Sequence, residues 1–292
     1  MALHFTGGRV LNYLFSIFMG ALQGVAEFLP ISSSGHLALF HHFFGVENAD
    51  RTDLLFTVLL HFGTLISVCV YYWRDILDMI REFFGGISGL FSRGGGRAAK
   101  PGEGLRLILL IVVGTLPLFL VLPIKSRVEA AFDNIFVVAV ALIATGFLLF
   151  FSDRSARGRK TARTAVLADA LLVGCAQAVG TLPGISRAGA TISAGMLRRF
   201  DRTFAVRYSF LLSLPAVLGA NLLEIVDVVK GNSVQTELLP IYLVGMVVAA
   251  VVGYFAIRLV NLLAYRGKFG SFAYYCWVVG AVSLGAAFLQ SF

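Results

Sequence analysis

The sequence predicts an all-α integral membrane protein with six spanning helices and two re-entrant helical hairpins that enter from opposite faces as an inverted-topology repeat. Three observations carry this expectation. The 292 residues are 58% hydrophobic and only 14% charged, where soluble domains run to about 25% charged and about 45–50% apolar. Two long apolar regions are each broken by a polar Ser/Gly segment. The basic residues cluster in four loops rather than spreading along the chain.

A spanning helix needs about 20 predominantly apolar residues. Six stretches fit: Leu54–Trp73, Leu105–Leu122, Ile135–Phe151, Ala205–Val228, Leu238–Leu259 and Ser271–Leu289. Two do not. Residues 11–44 are interrupted by Pro30-Ile31-Ser32-Ser33-Ser34-Gly35-His36, and residues 166–197 by Pro183-Gly184-Ile185-Ser186-Arg187-Ala188-Gly189. In each the second arm is too short to span, which describes a re-entrant hairpin. Irregular backbone is tolerated at membrane depth only where protein or water covers it. The N-terminal stretch contains Gln23 and Glu27 and shows no small-residue cleavage site, so it reads as mature fold rather than a signal peptide.

Eighteen of the 24 basic residues fall in residues 74–106, 152–164, 198–207 and 258–268. The positive-inside rule makes these loops cytoplasmic. Six spans thread through them only if each hairpin returns to its own side, the first entering from outside and the second from the cytoplasm. Both termini then lie outside. Gly85–Lys100, within a cytoplasmic linker over residues 74–104, reads as flexible. The net charge of +8 is a property of these membrane-flanking loops, and no nucleic-acid partner is expected. Cys69, Cys175 and Cys276 sit unpaired in apolar runs and read as small core residues.

An inverted repeat predicts internal similarity. At a shift of 154 residues Gln23 meets Gln177, Ile31 meets Ile185, Ser32 meets Ser186 and Gly35 meets Gly189. The repeats would cover about 11–151 and about 165–289, with both breaks brought together near the bilayer midplane.

The breaks hold the candidate chemistry. Glu27 is an ionisable residue at membrane depth, expensive there and a functional candidate on that ground; Gln23 lies four residues earlier on the same helix face. Ser32, Ser33, Ser34 and Gly35 suit an anion cradle of hydroxyls and amides, or a plain capped turn. His36 is a candidate acid, base or nucleophile. Arg187 is the basic residue inside the second break, flanked by Ser186 and Gly189, and guanidinium is a natural partner for phosphate oxygens. His61 in the Leu54–Trp73 stretch is a weaker candidate, with Asp53 near its outer end; His41 and His42 read as interfacial, and Asp169 and Glu224 as facing water at the membrane edges. An acid, hydroxyls, an imidazole and an arginine in one pocket suit phosphoryl transfer, which needs positioning and charge stabilisation above all.

The run Leu22-Gln23-Gly24-Val25-Ala26-Glu27-Phe28-Leu29-Pro30-Ile31-Ser32-Ser33-Ser34-Gly35-His36 resembles the first signature of the undecaprenyl-diphosphate phosphatases, the bacitracin-resistance family. Leu182-Pro183-Gly184-Ile185-Ser186-Arg187-Ala188-Gly189-Ala190-Thr191 resembles the second, and Tyr208–Leu212 with Leu214-Pro215 is also similar. The resemblance implies hydrolysis of undecaprenyl diphosphate to the monophosphate at the periplasmic face of the bacterial inner membrane, recycling the carrier for peptidoglycan synthesis. It implies a divalent cation, Mg²⁺ or Ca²⁺, held by Glu27 and Gln23, with bacitracin competing for the lipid substrate. Ser33 matches the proposed nucleophile, His36 the loop histidine and Arg187 the phosphate-binding arginine. Three positions depart from the pattern: Gln23 stands where many members have Glu, His61 where many have Gln, and Ser34 where Thr is common. The attacking group stays open among Ser33, His36 and water, and the proton acceptor between Glu27 and His36. A homodimer is among the assemblies open to the chain. A lipid or solute transporter is the rival reading, because inverted repeats with broken helices are frequent in transporters.

Overall fold

The computed structural model describes residues 13–44, 54–91, 102–155, 157–230 and 236–290. Asp53 and the side chain of His41 lie outside the described residues. The helices are α1 (Tyr13–Phe28), α2 (Ser33–Phe44), α3 (Leu54–Tyr71), α4 (Trp73–Phe91), α5 (Glu103–Thr115), the short α6 (Lys125–Ala130), α7 (Ile135–Arg154), α8 (Leu167–Val179), α9 (Arg187–Leu197), α10 (Arg202–Lys230), α11 (Leu239–Tyr265) and α12 (Ser271–Gln290). Among the described residues there is no strand beyond an isolated bridge between Lys160 and Phe200.

Among the described residues five helical stretches are long and apolar enough to cross a membrane, beginning at Glu103, Ile135, Arg202, Leu239 and Ser271; a sixth exists if α3 and α4 are taken as one bent span. The chain is therefore an all-helical, multi-pass membrane protein. Large apolar side chains cover its outside, among them Leu14, Phe119, Leu120, Phe151, Val278 and Val282, as lipid rather than water demands. Cys69 and Cys175 belong to this exposed surface, so of the three cysteines only Cys276 is the core residue expected.

Prolines shape the spans. The stretch from Glu103 leaves α-geometry at Leu116-Pro117 and continues in 3-10 turns through Pro123, because each proline removes a backbone donor and crowds the preceding turn. Pro215, by contrast, lies inside α10 without ending it.

The linker expected over residues 74–104 contains a helix. It departs from α3 at 77° and carries two faces. Trp73, Ile80, Phe83 and Phe84 are exposed, while the acidic residues serve the protein. Glu82 accepts a hydrogen bond from the Leu105 amide at 2.9 Å, and Asp75 pairs with Arg207 at 2.5 Å. This two-faced pattern overrides Gly85 and Gly86, which had read as coil.

Helices close where side chains vanish. A methyl on Gly24 of α1 would stand 2.7 Å from the Ala249 carbonyl oxygen of α11, and one on Gly174 of α8 would stand 2.3 Å from that of Gly114 in α5. Close backbone approach through small residues is the usual basis of helix association in lipid, where no hydrophobic drive acts between helices.

The basic loops also pair with buried acids and backbone carbonyls. Asp169, expected to face water, is fully buried. It accepts from Lys160 Nζ at 2.7 Å, Arg198 Nε at 2.8 Å and the Val166 amide at 3.1 Å. Arg106 donates to the Ala162 and Ala165 carbonyls, Arg207 to Glu103, and Arg202 pairs with Asp153. A carboxylate is tolerated in this position because three donors replace its water. Asp169→Ala leaves two cations and an amide without their acceptor, and a loss of about 3 kcal/mol is expected, read as a lowered thermal unfolding midpoint of the detergent-solubilised protein.

Candidate active site

Both breaks form by the same local rule. Pro30 follows the last turn of α1, where Leu29 N still donates to the Val25 carbonyl. Ser32 then caps α2: its Oγ accepts the Gly35 amide at 3.2 Å, and its carbonyl accepts the His36 amide. After α8, Pro183 and Gly184 turn the chain, and Ser186 caps α9 by accepting the Gly189 amide at 3.0 Å. These are serine N-caps bonding the third amide of the helix. Ser33 and Arg187 thereby become the first residues of α2 and α9, and they stand 154 positions apart.

The turns differ in one respect. In the second, the left-handed backbone falls on Gly184 (φ 89°); in the first it falls on Ser32 (φ 67°), where a side chain makes it costly, about 1–3 kcal/mol. The loops touch. A methyl on Gly35 would stand 2.9 Å from Gly184 Cα, and Ser32 Oγ donates to the Ile185 carbonyl at 3.4 Å.

At this junction five side chains converge. Arg187 Nη2 donates to Glu27 Oε1 in a short, charge-assisted hydrogen bond. Glu27 Oε2 accepts from Ser33 Oγ at 3.4 Å and from Gln23 Nε2 at 3.2 Å. Gln23 Nε2 also lies 3.1 Å from His61 Nδ1, whose ring nitrogen is 3.9 Å from the same carboxylate oxygen. An amide nitrogen only donates, so His61 Nδ1 is the acceptor. The Glu27 side chain is 8% exposed, Arg187 19% and His61 29%. Phe28, buried beside Glu27 in the chain, packs edge-on against Phe210. Charge is thus held in an apolar surround, open on the side of Arg187 and His61.

The remaining sequence candidates take other positions. The hydroxyls of Ser32 and Ser186 are committed to capping, and Gly35 and Gly189 supply the capped amides. Ser34 Oγ lies 3.3 Å from Ser32 Oγ. His36 is engaged at both ring nitrogens, by the Ser32 carbonyl and by the Tyr275 hydroxyl, each at 2.8 Å. The sequence reading missed two contributors. Thr145 braces the second loop by donating to the Gly184 carbonyl at 2.9 Å and accepting the Ser186 amide at 3.2 Å. Tyr275 holds His36. Neither carries a local signal, since each is a lone hydroxyl in an apolar span joined to its partner only by the fold.

A hard divalent cation takes oxygen ligands and is often held by one or two carboxylates plus substrate phosphates. Glu27 supplies one such carboxylate; Gln23 turns its amide nitrogen to Glu27 and His61, so its oxygen would join Glu27 on an ion only with the amide turned over. Among the described residues no group of three or more His, Cys, Asp or Glu could hold an ion by itself, so a cation here would need oxygens from the substrate. Positive electrostatics is already present. The starts of α2 and α9 point into the junction, and each helix start carries roughly half a unit of positive charge.

Comparison with known proteins follows the same residues. The family described as bacitracin resistance protein BacA matches residues 16–282. The undecaprenyl-diphosphatase of Halothermothrix orenii is 40% identical over 265 residues, covering 90% of this chain and 94% of that protein. That of Methanosphaera stadtmanae is 36% identical over 282 residues, with 94% and 98% covered, and that of Desulfosudis oleivorans 38% over 272 residues, with 92% and 96% covered. With the match extending through both Ser/Gly breaks and nearly all the helices around them, the chain belongs to the BacA bacitracin-resistance family.

Proposed function

We propose that the protein hydrolyses undecaprenyl diphosphate to undecaprenyl phosphate and inorganic phosphate, recycling the lipid carrier for cell-wall synthesis. Family membership supports the substrate, and one geometric observation carries the chemistry: Ser33 from one break and Arg187 from the other meet on the two oxygens of Glu27.

The reaction follows from that arrangement. A diphosphate entering the junction offers Arg187 a stronger partner than a single carboxylate, and a guanidinium binds phosphate oxygens in a fork. With the guanidinium drawn to the phosphates, Glu27 becomes the acceptor for the Ser33 proton. Ser33 Oγ forms a bond to the terminal phosphorus as the bond from that phosphorus to the bridging oxygen breaks, and the lipid monophosphate departs. Glu27 passes the Ser33 proton to the departing monophosphate; water then attacks the phosphoserine as the bond from phosphorus to Ser33 Oγ breaks, and the proton that water loses passes through Glu27 to Ser33 Oγ as inorganic phosphate leaves. The free-state distance of 3.4 Å from Ser33 to Glu27 is of the loose kind that closes when substrate is bound. Because His36 is bonded at both nitrogens elsewhere, we assign proton acceptance to Glu27. Gln23 and Glu27 would hold a Mg²⁺ or Ca²⁺ ion, which supplies further neutralisation of phosphate charge when bound.

The topology belongs to this proposal. The α1–α2 and α8–α9 pairs are read as re-entrant hairpins related by an inverted repeat. This is supported by the 154-residue match of caps and by the short arms. A second offset points the same way: α7 and α12 are both 20 residues long and begin at 135 and 271, 136 positions apart. The difference between offsets is absorbed by α4 and the residues after it. The clustering of basic residues in four loops supports a site open to the periplasmic side.

Phosphate release from undecaprenyl diphosphate by the purified protein, in Mg²⁺, in Ca²⁺ and in EDTA, tests the function; no release with either ion overturns it. Arg187→Ala is expected to lower kcat/KM by about 10²–10³. With substrate labelled in the terminal phosphate, rapid quenching should find label on Ser33, and intact hydrolysis without label would replace the covalent route by direct attack of water. Gln23→Glu adds a second carboxylate and should lower the cation concentration for half-maximal rate by about tenfold; an unchanged requirement removes Gln23 from the cation site.

A further inference from the structure

His36 is turned towards α12, and its geometry defines its hydrogens. Its Nδ1 lies 2.8 Å from the Ser32 carbonyl oxygen. A carbonyl only accepts, so Nδ1 carries the proton. The neutral ring then has a lone pair on Nε2, 2.8 Å from the Tyr275 hydroxyl, which must donate. The rings stack at 5.5 Å with 12° between their planes, so the contact is fixed by face and by edge. The next residue, Cys276, places its Sγ 3.6 Å from the Pro30 carbonyl. Two consecutive residues of α12 therefore grip the first loop.

The grip falls where the backbone needs it. Ser32 is in the left-handed region at φ 67°, a conformation that persists only when its surroundings over-determine it. Its carbonyl is one of the two ends that His36 joins. A continuous line runs from the Tyr275 hydroxyl through the imidazole to the Ser32 carbonyl, and Ser33 is the next residue.

We propose that Tyr275 is a positioning residue for the phosphatase: through His36 it holds Ser32 left-handed and so aims Ser33 at Glu27. The proposal rests on the function assigned above. Under it, His36 contributes to rate by orientation and accepts no proton from Ser33. Tyr275 is 43% exposed, and an aromatic on a membrane helix is otherwise simply a lipid contact; its hydroxyl separates the two roles.

Tyr275→Phe keeps the ring and removes the hydroxyl. In the full-length detergent-purified protein, kcat should fall about tenfold, equivalent to about 1.4 kcal/mol, with KM within about twofold of wild type. Nitrogen NMR of the ¹⁵N-histidine-labelled protein, with His36→Gln to assign the signal, should find His36 protonated at Nδ1 and hydrogen-bonded at Nε2. Tyr275→Phe should lose the Nε2 bond and gain the other tautomer. Tyr274→Phe, whose ring packs on Phe150 and Trp277, should alter neither. A Tyr275→Phe protein with wild-type kcat, or with unchanged His36 signals, overturns the proposal. So does a wild-type His36 protonated at Nε2, a measurement that stands even if the variant does not fold. A wild type that releases no phosphate while showing the expected His36 signals defeats the assigned reaction and leaves the positioning contact intact.

Discussion

A carboxylate placed inside an apolar helix bundle must be compensated, and Glu27 is the residue around which the junction is organised. An isolated buried ion costs several kcal/mol even after relaxation, so each Glu27 oxygen is matched: one by Arg187, the other by Ser33 and Gln23. Satisfying that carboxylate requires groups from α1, α2 and α9 at once. The helix breaks that bring α2 and α9 to this depth follow from it, as do the touching glycines between them and the bracing of the second loop by Thr145. The contacts that stabilise Glu27 are those that the proposed reaction uses. Arg187 neutralises Glu27 in the free protein, and in the proposed reaction it exchanges that carboxylate for phosphate.

The two breaks share a cap and a first-residue position but divide the chemistry. The first places a hydroxyl at the head of its helix, the second a guanidinium. Their supports differ too. The second turn rests on a glycine and a neighbouring threonine and stores little strain. The first places left-handed backbone on a serine and leans on α12 through His36. Each loop is thus braced by a helix of the other half, the first by Tyr275 of α12 and the second by Thr145 of α7, and the left-handed strain falls on the loop that carries Ser33.

Much of this was legible in sequence, because hydropathy and turn chemistry are local. The apolar runs marked five spans and the α3 helix, and Pro30 and Pro183-Gly184 marked the breaks. A capped turn was one of two readings of Ser32–Gly35, and the 154-residue match carried Ser32 onto Ser186. Glu27 and Arg187 stood out because charge is rare in such surroundings. What was not legible depends on distance along the chain. Asp169 looked like a solvated edge residue, and only the fold brings Lys160 and Arg198 to it. Residues 74–104 read as linker, flexible from Gly85 onward, because glycines weaken a helix at roughly 1 kcal/mol each; the decisive opposing fact is that Asp75 and Glu82 meet Arg207 and the start of α5. Tyr275 lies 239 positions from His36, and nothing around it in sequence suggests a partner.

The convergence of two helix starts on one point bears on how the protein sorts lipids. A bilayer presents many headgroups at high local concentration, most of them zwitterionic or singly anionic. The positive ends of α2 and α9 add to Arg187, so the attraction felt at the junction grows with the charge of the headgroup that enters it. A terminal diphosphate gains most, and its monophosphate product gains less and is released. Discrimination of this kind needs no pocket shaped to the prenyl chain, and it operates through the polar end that all carriers of this class share.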